Sequence, residues 1–129
     1  MIRLKPGEKQ SVRIFARYLW NHTGVELEEG GQYDFHAAGK WTDLIIITDA
    51  DGYQRLYMSP FEKFRRIPDQ NWFALIGTQD ESLNKAFLIG KKSTCTATFT
   101  GELVCFANDI EYLYWNNHGS IELTVTRSS

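Results

Sequence analysis

Asp109, Asn116 and Asn117 fall within nine residues of one another, and Gly119 follows two residues later. A carboxylate and two amide oxygens are hard donors. Together with a main-chain carbonyl at Leu113 they are the ligand types that hold a hard cation such as Ca2+. Calcium takes roughly six to eight oxygens, so this segment alone is insufficient. A second segment must contribute, and Asp43 or its carbonyl, just beyond Gly39, is the expected source. One or two carboxylates beside two amides leave such a site weakly charged, which suits modest affinity at high ambient calcium. The same residue types have a second use. Asn and Asp cap turns by bonding to nearby backbone, and Asn116-Asn117-His118-Gly119 reads equally as a turn into the last strand. Spacing leaves both readings open.

Other chemistries find less support. His22, His36 and His118 are scattered, with no local spacing that suggests a zinc cluster or a catalytic triad, so no enzyme activity is expected. Cys95 and Cys105 lie in neighbouring strand-like segments and could pair or stay as reduced thiols. Arg65 and Arg66 read as a solvated face or as a contact for an acidic partner. Trp41 and Trp115 flank the oxygen-rich segment; each could stack on the apolar face of a pyranose or fill the core. A formal charge of −2 and a pI of about 5.9 carry no nucleic-acid footprint. The N-terminal residues lack the apolar stretch of a signal peptide, and the longest apolar run, residues 72–76, is too short to span a bilayer. No membrane insertion is expected, and the location expected is cytoplasmic or reached by non-classical export.

The elements that must position the oxygen-rich segment are strands. Residues 10–18 alternate, as do Gln32–Ala38, where Tyr33, Phe35 and Ala37 share a face and His36 points the other way. Asn21–Gly24 reads as a polar turn before a short strand at Val25–Leu27. The β-branched run Leu44–Thr48 predicts a core strand, and Asp49–Gly52 a turn. Residues 60–71, basic and aromatic between Pro60 and Pro68, predict a long loop with at most one helical turn, packed down through its phenylalanines and Ile67. Further strands are expected at Trp72–Ile76, Ala86–Ile89, Cys95–Phe99, Glu102–Ala107 and Ile121–Thr126. Eight or nine short strands with Gly-rich turns, 43% hydrophobic residues and no helical periodicity predict a single all-β domain over residues 1–129, a sandwich or barrel.

Gly101–Asp109 followed by Tyr114-Trp-Asn-Asn-His-Gly-Ser-Ile-Glu-Leu-Thr-Val125 resembles the C-terminal half of the PA-I galactophilic lectin family. Weaker similarity runs upstream through Ala37–Gly39 with Trp41 and through Ala74–Gly77. The resemblance implies a jelly-roll-like, galactose-binding-domain-like β-sandwich of bacterial type that binds saccharide through calcium without catalysis. Carried over, the calcium ligands would be Asp109, Asn116, Asn117 and the carbonyls of Leu113 and of a residue near Thr42 or Asp43. Vicinal sugar hydroxyls would complete the shell, so the ligand-contacting set would be Asp109, Asn116 and Asn117 with Trp41 or Trp115 stacking. The chain departs from the family in having no His-x-x-Gln segment between Trp41 and Trp72 and in carrying Tyr114-Trp115 where the family prefers Tyr-Gly. Galactose specificity is therefore not implied. The partner expected is a saccharide, with self-association left open. The alternative is a structural or protein-interaction sandwich that has lost the sugar site, with residues 60–71 as its contact surface.

Overall fold

The last strand is the longest and pairs with three others. The computed structural model describes residues 1–129. In chain order the strands are β1 (Ile2–Arg3), β2 (Lys9–Phe15), β3 (Asn21–Leu27), β4 (Gln32–Ala38), β5 (Trp41–Asp43), β6 (Ile46–Thr48), β7 (Leu75–Gln79), β8 (Phe87–Leu88), β9 (Lys92–Thr96), β10 (Gly101–Ala107) and β11 (Asn117–Arg127). They form two sheets, β1-β3-β10-β7-β8 and β6-β5-β11-β4-β9, with β2 on the free side of β11. The expected all-β sandwich is the architecture found.

The alternation read from the sequence explains the inner faces. Tyr33, Phe35 and Ala37 of β4 are buried, as are Ile121, Leu123 and Val125 of β11, while the residues between them in β4, His36 included, are exposed. These side chains meet Val25, Leu27, Leu103 and Cys105 from the other sheet in one cluster of 22 buried residues. A fully buried aliphatic or aromatic side chain contributes roughly 1.5–3 kcal/mol, so register is strongly held: a one-residue slip would turn every one of them outward. Strands β7 and β10 are buried on both faces because a second cluster, Ala74, Ile76 and Phe106, is covered by Trp20, Ile67 and Ala86.

Strands β4 and β5 run along the same side of β11, one against residues 122–127 and the other against residues 117–119. Between them Gly39 takes φ +101°, and opposite Trp41 stands Gly119 at φ +85°. These left-handed positions suit residues without a Cβ and bend the paired strands, carrying Trp41–Asp43 to the end of the sandwich where β11 begins.

Several expectations are corrected. Asn21–Gly24 is no turn but the first half of β3. The Asn21 amide makes this possible, accepting from the Phe15 N–H at 2.8 Å and donating to the carbonyls of Phe15 and Cys105 at 3.0 and 3.1 Å. Leu44–Thr48 is not a core strand. Leu44 turns at φ +56° between β5 and β6, and the side chains of Leu44, Ile45 and Ile47 are exposed. The 60–71 stretch is preceded and partly replaced by a 3-10 helix, Leu56–Phe64, with no buried residue, so Phe61 and Phe64 do not pack down although Ile67 does. Strand β7 begins three residues later than expected and runs through Gly77. Cys95 and Cys105 are free thiols on different sheets. Burial pushes Cys95 up to about 11 and Cys105 further still.

A surface clamp ties interior strands of the first sheet. His22 of β3 bonds Glu102 of β10 at 2.9 Å and Glu81 of the loop after β7 at 2.7 Å. These bonds, Glu102 first, raise the His22 pKa above its ordinary value. A raised histidine contributes stability that is complete below the unfolded pKa of about 6.5 and is lost as pH rises through the folded value. The side chain is half exposed, so screening keeps the effect under about 1 kcal/mol. Urea denaturation of His22→Gln should therefore show a small loss against the wild type at about pH 5.5 and none at about pH 9.

Candidate functional site

The connection from β10 to β11 crosses from one sheet to the other. It runs through residues 108–110 and then a 3-10 helix, Glu111–Asn116. Its start is held by Asn108, which is fully buried. The Asn108 side chain accepts from the Ile67 N–H at 3.0 Å and donates to the carbonyls of Ile67, Gln70 and Asn71. Its backbone exchanges bonds with Phe73 and Ala74. The connection and the 65–72 segment are thus one hydrogen-bonded unit, to which Arg66 N–H adds a bond to the Asp109 carbonyl at 3.0 Å.

Arg65 and Arg66 do not form the solvated face expected of them. Arg65 is buried over the Trp72 ring, and that burial lowers its pKa. The Arg66 guanidinium carbon sits 3.6 Å from the Phe106 ring centre, with Trp20 and Tyr114 beside it. It donates to the Leu19 carbonyl at 2.7 Å and the Tyr114 hydroxyl at 3.0 Å. The Tyr114 hydroxyl in turn donates to the Ala107 carbonyl. Arg66 therefore fixes the 3-10 helix that carries Leu113 and Asn116 against β10.

The structure brings Asp43, Asp109, Leu113 and Asn116 to one cavity of about 430 Å³, with Asn117 paired to Asp43 across β5 and β11. Asp109 Oδ1 accepts the Ile110 N–H at 2.7 Å, but buried Oδ2 has no donor. Asn117 is fully buried, and its Nδ2 donates to the Ala16 carbonyl at 3.0 Å. That bond fixes the amide, because a flip would set Oδ1 against a carbonyl oxygen. Asn117 Oδ1 and Asn116 Oδ1 are buried and also lack donors. Asp43 accepts from the Tyr53 hydroxyl. An unsatisfied buried acceptor costs about 1–3 kcal/mol, and three in one place form a demand for a cation or for donor groups of a ligand. The turn-capping alternative accounts for none of the three, since capping would give these oxygens backbone donors.

The charges agree. Burial first, and the nearby Asp43 charge second, push the Asp109 carboxyl up to about 7, against the pull of the Ile110 N–H and of the Asn117 amide, which lies near without completing a hydrogen bond to the carboxyl. Burial also raises Asp43, and the Tyr53 hydroxyl opposes that rise. Two carboxylates that resist ionising together would do so readily beside a cation. No group of three or more His, Cys, Asp or Glu side chains is arranged to hold a metal ion. The donor set is thus carboxylate, amide and carbonyl oxygen, of the hard type.

The two tryptophans separate. Trp41 is 1% exposed and packs edge-on to Phe73 with ring centres 5.8 Å apart, so it offers no face to a ligand. Pairing opposite Gly119 turns its side chain into the core. Trp115 is exposed beside Asn116. The sequence reading missed the cavity wall. Ten of the thirteen lining residues are hydrophobic, among them Tyr53, Tyr57, Met58, Phe61 and Trp72. The aromatic character of residues 53–72 was the available signal, but nothing local said which cavity it faces.

No family model matches the chain, and no curated protein matches it. Among solved structures, one described as the EclA N-terminal domain, a PllA-like lectin, superposes with a TM-score of 0.68. The match covers 91% of this chain and 94% of that chain at 19% identity. The two share a fold.

Replacing Arg66 by Met should remove two charge-assisted hydrogen bonds and strand the Leu19 carbonyl. A loss of roughly 2–4 kcal/mol in urea denaturation is expected. Arg66→Lys should recover only part of it, because an ammonium lacks the planar fork. A loss below about 0.5 kcal/mol would show that the cage does not hold the helix.

Proposed function

We propose that this domain binds saccharide without catalysis, through a Ca2+ ion held at the junction of β5, β11 and the 3-10 helix Glu111–Asn116. The carrying observation is that Asp109 Oδ2, Asn116 Oδ1 and Asn117 Oδ1 are buried together with no donor. In this reading those oxygens and the Leu113 carbonyl hold the ion, with Asp43 or its carbonyl added from β5. A bound calcium would supply positive charge and open coordination positions for vicinal sugar hydroxyls. The residues of the chain do the rest. Asp109 gives up its proton, Asn117 is held in orientation by Ala16, and the apolar wall receives the C–H face of the ring. Trp115, exposed beside Asn116, would stack on the sugar. The shared fold with a protein described as a lectin supports a carbohydrate ligand. So does the resemblance to the PA-I family in residues 101–125. Neither supports galactose over another sugar.

Calorimetric titration of calcium into chelator-treated protein should give heat and a rise in melting temperature. Asp109→Asn, nearly isosteric but uncharged, should weaken binding tenfold or more, and saccharide binding on a glycan array should require calcium. Absence of heat and of any thermal shift at ~10 mM calcium, above the range of weak extracellular sites, would remove the proposal. The domain would then read as an interaction sandwich.

A further inference from the structure

The cavity beside Asp109 is more apolar than a sugar ring can use. Of its thirteen lining residues only Asp43, Asp109 and Asn116 are not hydrophobic. Residues 44–61 supply seven of the ten hydrophobic ones, and none of the polar residues in that segment lines the cavity. Leu44, Ile45, Tyr57 and Phe61 are each more than half exposed, so the fold leaves this part of the wall to water rather than to its own core. The polar residues gather where β5 meets the start of β11: Asp43 pairs with Asn117, and the Leu44 N–H donates to the Asn116 carbonyl at 3.1 Å. A sugar ring presents one C–H face and carries hydroxyls around its edge. Hydroxyls set against an apolar wall lose their water and gain no hydrogen bond in return. At about 430 Å³ the cavity has the size of a small-ligand site. The mismatch disappears if the hydroxyls stay at the polar residues and an apolar group fills the rest.

We infer that the ligand of this site is amphiphilic: a hydroxylated head at Asp109 and Asn116 carries an alkyl chain that lies along the apolar wall. The head follows from Asp109 Oδ2 and Asn116 Oδ1, buried without donors, which a hydroxyl can satisfy directly or through a bound cation. The chain follows from the wall. Six of its ten hydrophobic residues, Leu44, Ile45, Ile46, Met58, Ile110 and Leu113, carry no ring, and an unbranched methionine adapts to a flexible neighbour. Only the identity of the head as a saccharide rests on the function proposed above. On that reading the ligand is a glycoside whose aglycone is an alkyl chain.

The probes are butane-1,2-diol, hexane-1,2-diol and octane-1,2-diol, which keep two vicinal hydroxyls and lengthen only the chain. They are titrated by calorimetry into the full chain, in calcium and in chelator. Affinity should rise up to about fourfold with each added methylene until the wall is covered. Ile45→Ser and Tyr57→Ser alter exposed wall residues that are not among the proposed calcium ligands, so both should fold and keep calcium heat. Each should weaken octane-1,2-diol roughly fivefold. Octanediol binding no tighter than butanediol would overturn the inference. So would a rise that neither substitution reduces, because the chain would then lie elsewhere. Hexylamine binding more tightly than hexane-1,2-diol in calcium would make the head a cation and overturn it as well. A steep series without calcium heat would remove the calcium site and uphold the amphiphile, whereas calcium heat with a flat series would do the reverse.

Discussion

Strand β11 is shared by three partners, and that sharing is what the molecule depends on. Its residues 120–126 pair with β2, residues 122–127 with β4, and residues 117–119 with β5. One strand thus joins the first third of the chain to its end. Because its inward residues Ile121, Leu123 and Val125 are fully buried, the register is fixed by the core rather than by any turn. The first residue of the strand, Asn117, inherits that fixed position. An amide at the start of a strand held so firmly does not drift, and its oxygen points where the pairing puts it.

The candidate site is consequently built by backbone geometry more than by side-chain choice. Gly39 and Gly119 bend the β4–β5 and β11 pair, which sets Asp43 beside Asn117. The exit of β10 is pinned by Asn108 and Arg66 to a segment some forty residues earlier, which sets Asp109 and the following 3-10 helix. Two sheets and one crossing connection therefore meet at a single point. Unpaired acceptors there carry an energetic cost that a folded chain rarely keeps without purpose. The cost is concentrated at one end of the sandwich, where the cavity also lies.

The inner faces were legible because period-two alternation with one buried face has a single reading. Residues 32–38 and 121–126 follow it, and the outward placement of His36 came with it. The nearness of Asp109 to Asn116 in the fold was legible too, since they lie close in sequence and line one cavity. The reading went wrong where a residue's surroundings come from elsewhere. Four consecutive apolar residues, Leu44–Ile47, look the same whether they enter a core or turn at its edge. Arg65 and Arg66 look like any exposed basic pair, yet the rings that enclose Arg66 come from positions 20, 106 and 114.

The amino-acid order by itself determined the strand class, the inward faces and the chemical type of the candidate ligands, because these depend on local period and on functional groups. Only the tertiary structure decided that Asp43 and Asp109 share a cavity, that Trp41 belongs to the core while Trp115 stays free, and that the hairpin and the two 3-10 helices surround one opening. Those are facts of register and crossing between sheets. They are set by long-range burial, to which no stretch of neighbouring residues has access.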